Sequence, residues 1–307
     1  MPADLSKLEN VDSPSGRSAF AGRLEHMAVL RFAGPDAIGF LQGQVSNDTA
    51  ALGAGRPVLC AYSTPQGRVL AILHLLPHSS GILALLPGDV AAATAERLRK
   101  FILRAKVKIE HLGEPWSIAG ADAGALRGAG IDMSGDYLET NGIAAARVPS
   151  AGAERYWLLG DAASIAGVAG SRSLEHAWRL ADIRAGLPQI HAAASELFVA
   201  QMLNLDLIGG ISFTKGCYTG QEIIARTQHL GRIKRRLFRL RLPAGAWSIG
   251  QALRLVDGRS GRITEVQRGQ DGFEALAVLT LEAGPEADGE SAEATAAEQL
   301  PLPYRVG

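Results

Sequence analysis

The sequence predicts a mixed α and β protein of two or three domains, ending in a small antiparallel barrel or sandwich. Length is the first reason: the chain has 307 residues, and domains usually hold roughly 100–200. The second is a strand-rich stretch, Cys60 to Leu86, followed by an amphipathic helical one. The third is a change of texture after Gly231, where short period-two segments alternate with Gly-rich turns.

In chain order, Met1 to Gly16 is acidic and Pro-containing with no apolar run, and reads as a mobile arm rather than a signal peptide. Glu25 to Phe32 reads as a strand. Gly34-Pro35-Asp36 then opens a short helix through Phe40-Leu41. Val69 to Leu86 is apolar but interrupted at Pro77-His78-Ser79-Ser80-Gly81, which predicts two strands and a turn, not a membrane span. Asp89 to Arg104 is predicted as a helix, with Val90, Leu98, Phe101 and Ile102 on one side and Glu96 and Lys100 paired on another. Val107 to Ile109 is the strand after it.

Residues 116–169 are rich in Ala and Gly, and the pattern predicts α/β packing. Ser173 to Ala185 is a helix capped by Gly186, with Pro188 beyond. Ser195 to Leu205 is expected to be another. Strands are expected at Phe238 to Leu242, Gln251 to Val256, Arg262 to Gln267 and Phe273 to Leu281. The Glu- and Ala-rich 282–298 stretch reads as a solvated excursion.

Charge and cysteine content narrow the function. There are 31 Lys and Arg against 31 Asp and Glu, a net charge of zero. That balance argues against bulk binding to nucleic acid or membrane. Cys60 and Cys217 are the two cysteines. They form no Cys-x-x-Cys motif, and no zinc-ligand spacing is present, so no metal site is expected. So few cysteines in so long a chain fit a reducing, cytoplasmic compartment.

The most distinctive segment runs from Gly209 to Glu222, through Lys215-Gly216-Cys217-Tyr218-Thr219-Gly220-Gln221-Glu222. A helical pattern follows at Ile223, Ile224 and Thr227. Thr219 and Glu222 have capping-box spacing. Glu222 thus has two readings, a helix cap or a ligand through its second carboxylate oxygen. With Thr219 as cap, Cys217 stands two residues before the helix, where the dipole and Lys215 both favour thiolate. The other reading of Cys217 is a small buried hydrophobe. Arg226 opens a basic run with Arg232, Lys234, Arg235, Arg236, Arg239 and Arg241, and no acid falls between Ile223 and Leu255. It is either a solvated strand face or a seat for an anion such as a glutamyl tail, a phosphate or RNA.

The run from Lys215 to Glu222, preceded by Gly210-Ile211-Ser212-Phe213, resembles the signature of the YgfZ folate-binding family. Other blocks are similar in the same order. They are Phe40-Leu41-Gln42-Gly43-Gln44 with Asn47-Asp48, Lys100 to Val107, and Trp178 with Asp182 to Pro188. Gln201-Met202, Asn204-Leu205 and Pro301-Leu302-Pro303-Tyr304 complete the series. The resemblance covers nearly the whole chain. It implies an α+β fold like that of the glycine-cleavage T-protein, a three-domain cloverleaf around a folate site. Residues 17–55 and 115–230 would form a discontinuous folate-binding domain, 56–114 a ferredoxin-like domain, and 231–307 a small β-barrel.

The resemblance also implies the ligand, tetrahydrofolate or a one-carbon derivative. The partners it implies are iron–sulfur client enzymes, including those that methylthiolate tRNA; direct RNA binding is not expected, given the zero net charge and the lack of an RNA-binding motif. Of two tryptophans associated with folate in the family, one maps to Trp178 and the other to Met27. Tyr218, Gln221, Glu222 and Arg226 join them as expected folate-side residues, with Cys217 and Lys215 as the chemical centre. The T-protein needs a carboxylate in the strand after a Gly-rich turn. Here that turn is Gln66-Gly67-Arg68-Val69, followed by Leu70 and Ala71, so aminomethyl transfer is not expected. A one-carbon transferase remains the alternative.

Overall fold

A computed structural model describes residues 20–149, 154–229, 231–284 and 293–306. The expected N-terminal arm lies outside these residues, as does much of the 282–298 stretch. The described part of the chain is α+β, with strands in three sheets.

Strand β1 (Ala21–Arg23) leads into β2 (Met27–Ala33). Two short helices follow, α1 (Ala37–Gln42) and α2 (Ala50–Gly53). Then come β3 (Val58–Ser63), β4 (Val69–His78), β5 (Gly81–Pro87), helix α3 (Gly88–Arg99) and β6 (Lys108–Leu112). These strands form a sheet in the order β3-β4-β5-β2-β6. β4 and β5 are near-continuous apolar runs because both faces are covered, one by α3 and the other by the rest of the molecule. Gly34 has φ +125, and a Cβ there would lie 2.2 Å from the Lys106 carbonyl oxygen, so only glycine fits where the chain leaves β2.

One expectation changes here. Helix α3 stops at Arg99, not Arg104, because its sheet-facing residues end at Leu98. Phe101 is consequently outside the helix and exposed. β2 sits between β5 and β6, so residues 27–33 share a sheet with the strands of 58–112.

The second sheet is built from β7 (Trp116–Asp122), β8 (Tyr137–Thr140), β9 (Ile143–Arg147) and β10 (Arg155–Asp161), with β1 on its edge. Helices α4 (Ala123–Gly128) and α5 (Ala162–Ala169) begin at Asp122 and Asp161, whose carboxylates accept from first-turn amides. β10 is buried on both faces. Tyr156 and Leu158 pack with α4 and α5, while Trp157 and Leu159 face the first sheet. The Ala and Gly content expected of this region has a local cause, since a Cβ on Gly120 would fall 2.3 Å from the Trp178 ring.

Helix α6 (Glu175–Ala185) ends at Gly186, which takes the expected left-handed conformation with φ 63. Residues 195–205 do not form the expected helix. Glu196 donates its amide to Val69, and the Phe198 carbonyl accepts from Val69. These bonds tie the segment to β4 and leave only a 3₁₀ turn at Ala200–Leu203. Helix α7 (Gln221–His229) precedes the C-terminal sheet.

That sheet contains β11 (Arg235–Leu242), β12 (Ala252–Leu255), β13 (Ser260–Arg268), β14 (Phe273–Thr280), β15 (Ala294–Thr295) and β16 (Glu298–Leu300). Its order is β15-β12-β13-β14-β11-β16, a half-barrel. No helix among the described residues is long and apolar enough to cross a membrane.

Candidate functional site

The distinctive loop is zipped onto the block that follows α1. Lys215 Nζ donates to the carbonyls of Gln42 and Val45 at 2.7 Å and of Asn47 at 2.9 Å. Three N–H groups thus meet three acceptors, which needs the protonated amine. Burial lowers the Lys215 pKa to about 8, opposed by Cys60 and Asp48, so the ammonium persists at pH 7. Its charge also lies 4.8 Å from the centre of the Tyr218 ring. Asn47 Nδ2 donates to Gly209 at 2.7 Å, and Ser46 Oγ donates to Gly210 at 2.7 Å. The Thr219 amide reaches Gly43 at 3.3 Å.

A second contact fixes the other end of the loop. Gly220 has φ +83, and a Cβ there would lie 2.6 Å from the Thr64 carbonyl oxygen. Gly67 packs as closely against Ile223 of α7. The loop therefore bridges two N-terminal turns, at 42–48 and at 64–68. Cys217 stands on this bridge as a free, exposed thiol. A Cβ at neighbouring Gly216 would meet nothing within 4 Å, so the approach is open. Cys60 is the opposite case: it is fully buried in β3, and burial pushes its thiol pKa well up.

Two details of this loop differ from expectation. The helix starts at Gln221, with Gly220 before it, so Cys217 is farther from the helix than a Thr219 cap would place it. The side chain that folds back is Gln221, whose Oε1 accepts from the Tyr218 amide at 3.3 Å. Glu222 is exposed in the first turn, with Arg226 exposed one turn later. Lys215 ties the loop to the 42–48 turn, with its three donors on that turn's carbonyls. Tyr218 is buried, and burial raises its pKa to about 12, so it is a neutral phenol at pH 7.

Trp178 and Met27 share one apolar core. Trp178 is 1% exposed, between Gly120 and the Arg155 guanidinium, which lies 4.6 Å over its ring. Arg155 in turn pairs with buried Asp182 at 2.7 Å. The side chain packs the junction of α6 and β10, and the cleft beyond the 64–68 turn does not include it.

A ligand-sized opening lies on the other side of the 64–68 turn. It is a cleft of about 620 Å³ lined by Arg68, Arg235 and Arg262, by Glu196, and by Leu197, Phe198 and Met202. Arg68 Nη1 donates to the Leu197 carbonyl at 2.8 Å, which holds one wall together. Glu196 enters through a left-handed backbone, φ 65. No sequence signal marked Glu196 or Phe198, because their tie to β4 is tertiary. Arg235 was visible only as one member of the basic run. The rest of that run is divided. Arg236 pairs with Asp206 at 2.6 Å, Arg239 pairs with Glu274 at 2.7 Å, and Arg241 pairs with Glu298.

Three sheets with a half-barrel C-terminus make a fold of the T-protein type. The aminomethyltransferase T of the glycine cleavage system from Bartonella henselae superposes with a TM-score of 0.62 over 86% of this chain and 78% of that one, at 15% identity. The sequence narrows the class. It is 34% identical to tRNA-modifying protein YgfZ of Edwardsiella ictaluri over 270 residues, 81% of each chain. The Colwellia psychrerythraea protein of that name is 34% identical over 70% of this chain and 69% of its own. The Yersinia pestis protein is 32% identical over 81% and 80%. No family model matches. The chain belongs to the YgfZ family.

Proposed function

We propose that this protein is a tetrahydrofolate-binding accessory factor that supports assembly or repair of iron–sulfur enzymes in the cytoplasm, including enzymes that methylthiolate tRNA. The observation that carries the reading is the shared turn at 64–68. One side of it helps to line the cleft, and the other holds the loop that presents Cys217.

The cleft's chemistry fits a folate. Its volume falls within the ~300–1,000 Å³ usual for small-molecule sites. Glu196 offers a carboxylate to the amino and amide N–H edge of a pterin. Phe198, Met202 and Leu197 offer an apolar wall to its aromatic rings. The arginines match the carboxylates of the glutamate end. When bound, the folate supplies a one-carbon carrier, while this chain's residues orient it. Trp178 and Met27 then act from behind the site by fixing the sheets, and Tyr218 and Gln221 by shaping the loop; exposed Glu222 and Arg226 are left to meet the ligand's solvent-facing end.

Calorimetry with tetrahydrofolate tests this. Saturable binding is expected, weakened at least about tenfold by Arg235→Ala or Glu196→Gln, since a charged hydrogen bond is worth ~1.5–3 kcal/mol. Trp178→Ala is expected to reduce stability more than affinity. Unchanged affinity in both cleft variants would remove the cleft from the reading.

One observation favours the alternative, a one-carbon transferase. Leu70 and Ala71 supply no carboxylate, but Glu196 donates its backbone amide to Val69 and so brings a carboxyl group next to that strand. General acid–base help from a placed carboxylate is worth about 10²–10⁴-fold. Methylene-tetrahydrofolate formation from an aminomethylated carrier, lost in Glu196→Gln, would favour that alternative.

A further inference from the structure

The segment between α3 and β6 takes no part in the cleft or the thiol loop. From residue 97 in the last turn of α3 to 109 in β6 the chain carries six cations, Arg97, Arg99, Lys100, Arg104, Lys106 and Lys108, and no acid. With flanking Glu96 and Glu110 included, residues 96–110 hold six positive and two negative charges, a net of +4 in a chain whose total is zero. Lys100 lies 3.9 Å from Glu96, and Lys108 pairs with Glu110. Arg104 and Lys106 are exposed. Between the cations stand two large apolar side chains that the fold leaves in water: Phe101 is 43% exposed and Leu103 is 90% exposed. No other large hydrophobic residue described is as exposed as Leu103.

We propose that residues 100–106 are a docking site for an acidic protein surface bearing an apolar pocket. In the accessory-factor reading, on which the partner's identity rests, that surface belongs to the client. An apolar core within a polar rim is the usual anatomy of an interface. Burying the Leu103 side chain is favourable only where an apolar cavity receives it. A nucleic acid would use the cations and could stack on Phe101, but it offers little to an aliphatic side chain at the tip. The surplus of positive charge selects an acidic partner and speeds encounter.

The test places a photo-crosslinking phenylalanine derivative at position 103 of the full chain in cells, and the same probe at exposed Val256 as the control surface. The expected result is a discrete adduct at 103 that is digested by protease, resists nuclease and is absent at 256. Arg104→Glu with Lys106→Glu is expected to cut its yield at least about tenfold, through like-charge repulsion. Retained tetrahydrofolate binding would show that the double variant folds. An adduct no stronger than at 256, one removed by nuclease, one of twice the chain's mass, or one indifferent to charge reversal would overturn the proposal. Loss of this docking face alone would leave the folate and Cys217 tests standing, so the two failures are distinguishable.

Discussion

Lys215 shows how one side chain can set the shape of a functional loop. Three backbone carbonyls converge on its ammonium, and no neutral residue can satisfy all three. Lys215→Met is expected to leave them unpaired and to lower unfolding free energy in urea by about 2–3 kcal/mol, given ~1–3 kcal/mol for an unsatisfied buried group. Cys217→Ala, at an exposed position, is expected to stay within about 0.5 kcal/mol of the parent. Equal stability of the two variants would mean that the loop does not depend on the ammonium. The sequence marks both residues as a thiol with a nearby cation, but not the carbonyls that Lys215 meets, which lie about 170 positions away.

At the scale of elements, a buried histidine joins two sheets. His74 of β4 stacks on Trp157 of β10 with ring centroids 4.4 Å apart. Burial lowers its pKa to about 3, and burial with Arg179 lowers His26 to about 4. Both are neutral in the folded state and titrate near 6.5 when unfolded. The unfolded chain therefore binds more protons below 6.5, so stability is full above that pH and falls as pH drops toward 4. Urea denaturation at pH 7.5 and 5.0 is expected to show a loss of roughly 1–2 kcal/mol per histidine. A flat profile would mean that neither site excludes the proton.

Local signals were legible wherever a local rule decides structure. The Gly186 cap, the period-two strands after Gly231 and the hairpin at 78–81 all read correctly. Tertiary contacts decided the remainder. Helical propensity at 195–205 lost to backbone bonds with β4, and α3 ended where its sheet contact ended. The cleft was invisible because its walls come from four separate stretches, at 68, 196–202, 235 and 262.

Across the whole molecule, ion pairs tie the half-barrel to the rest. Glu265 of β13, with a 3% exposed side chain, meets Arg179 of α6 at 2.7 Å and His191 at 3.0 Å. His191 also lies 3.4 Å from Asp89 of α3. Glu265→Ala would leave Arg179 only its longer contact with Glu175 at 3.4 Å, a loss of about 1.5–3 kcal/mol for a charged hydrogen bond. Thermal unfolding of that variant is expected to begin well below the parent's. An unchanged transition would show that the half-barrel docks without this network. The same pairing divides the 226–241 run that stands out in the sequence, with Arg235 lining the cleft. Three of its arginines hold the half-barrel to its neighbours or to its own strands.

The central claim is that Cys217 supplies function while the cleft supplies folate, and one variant separates the two. Cys217→Ala would be assayed for tetrahydrofolate affinity by calorimetry and, in cells lacking the native protein, for activity of an iron–sulfur enzyme that methylthiolates tRNA. The account predicts parental folding, folate affinity within about twofold, which is under 0.5 kcal/mol, and loss of enzyme support. Full support of the iron–sulfur enzyme by Cys217→Ala would contradict it and reduce the exposed thiol to a bystander on the loop.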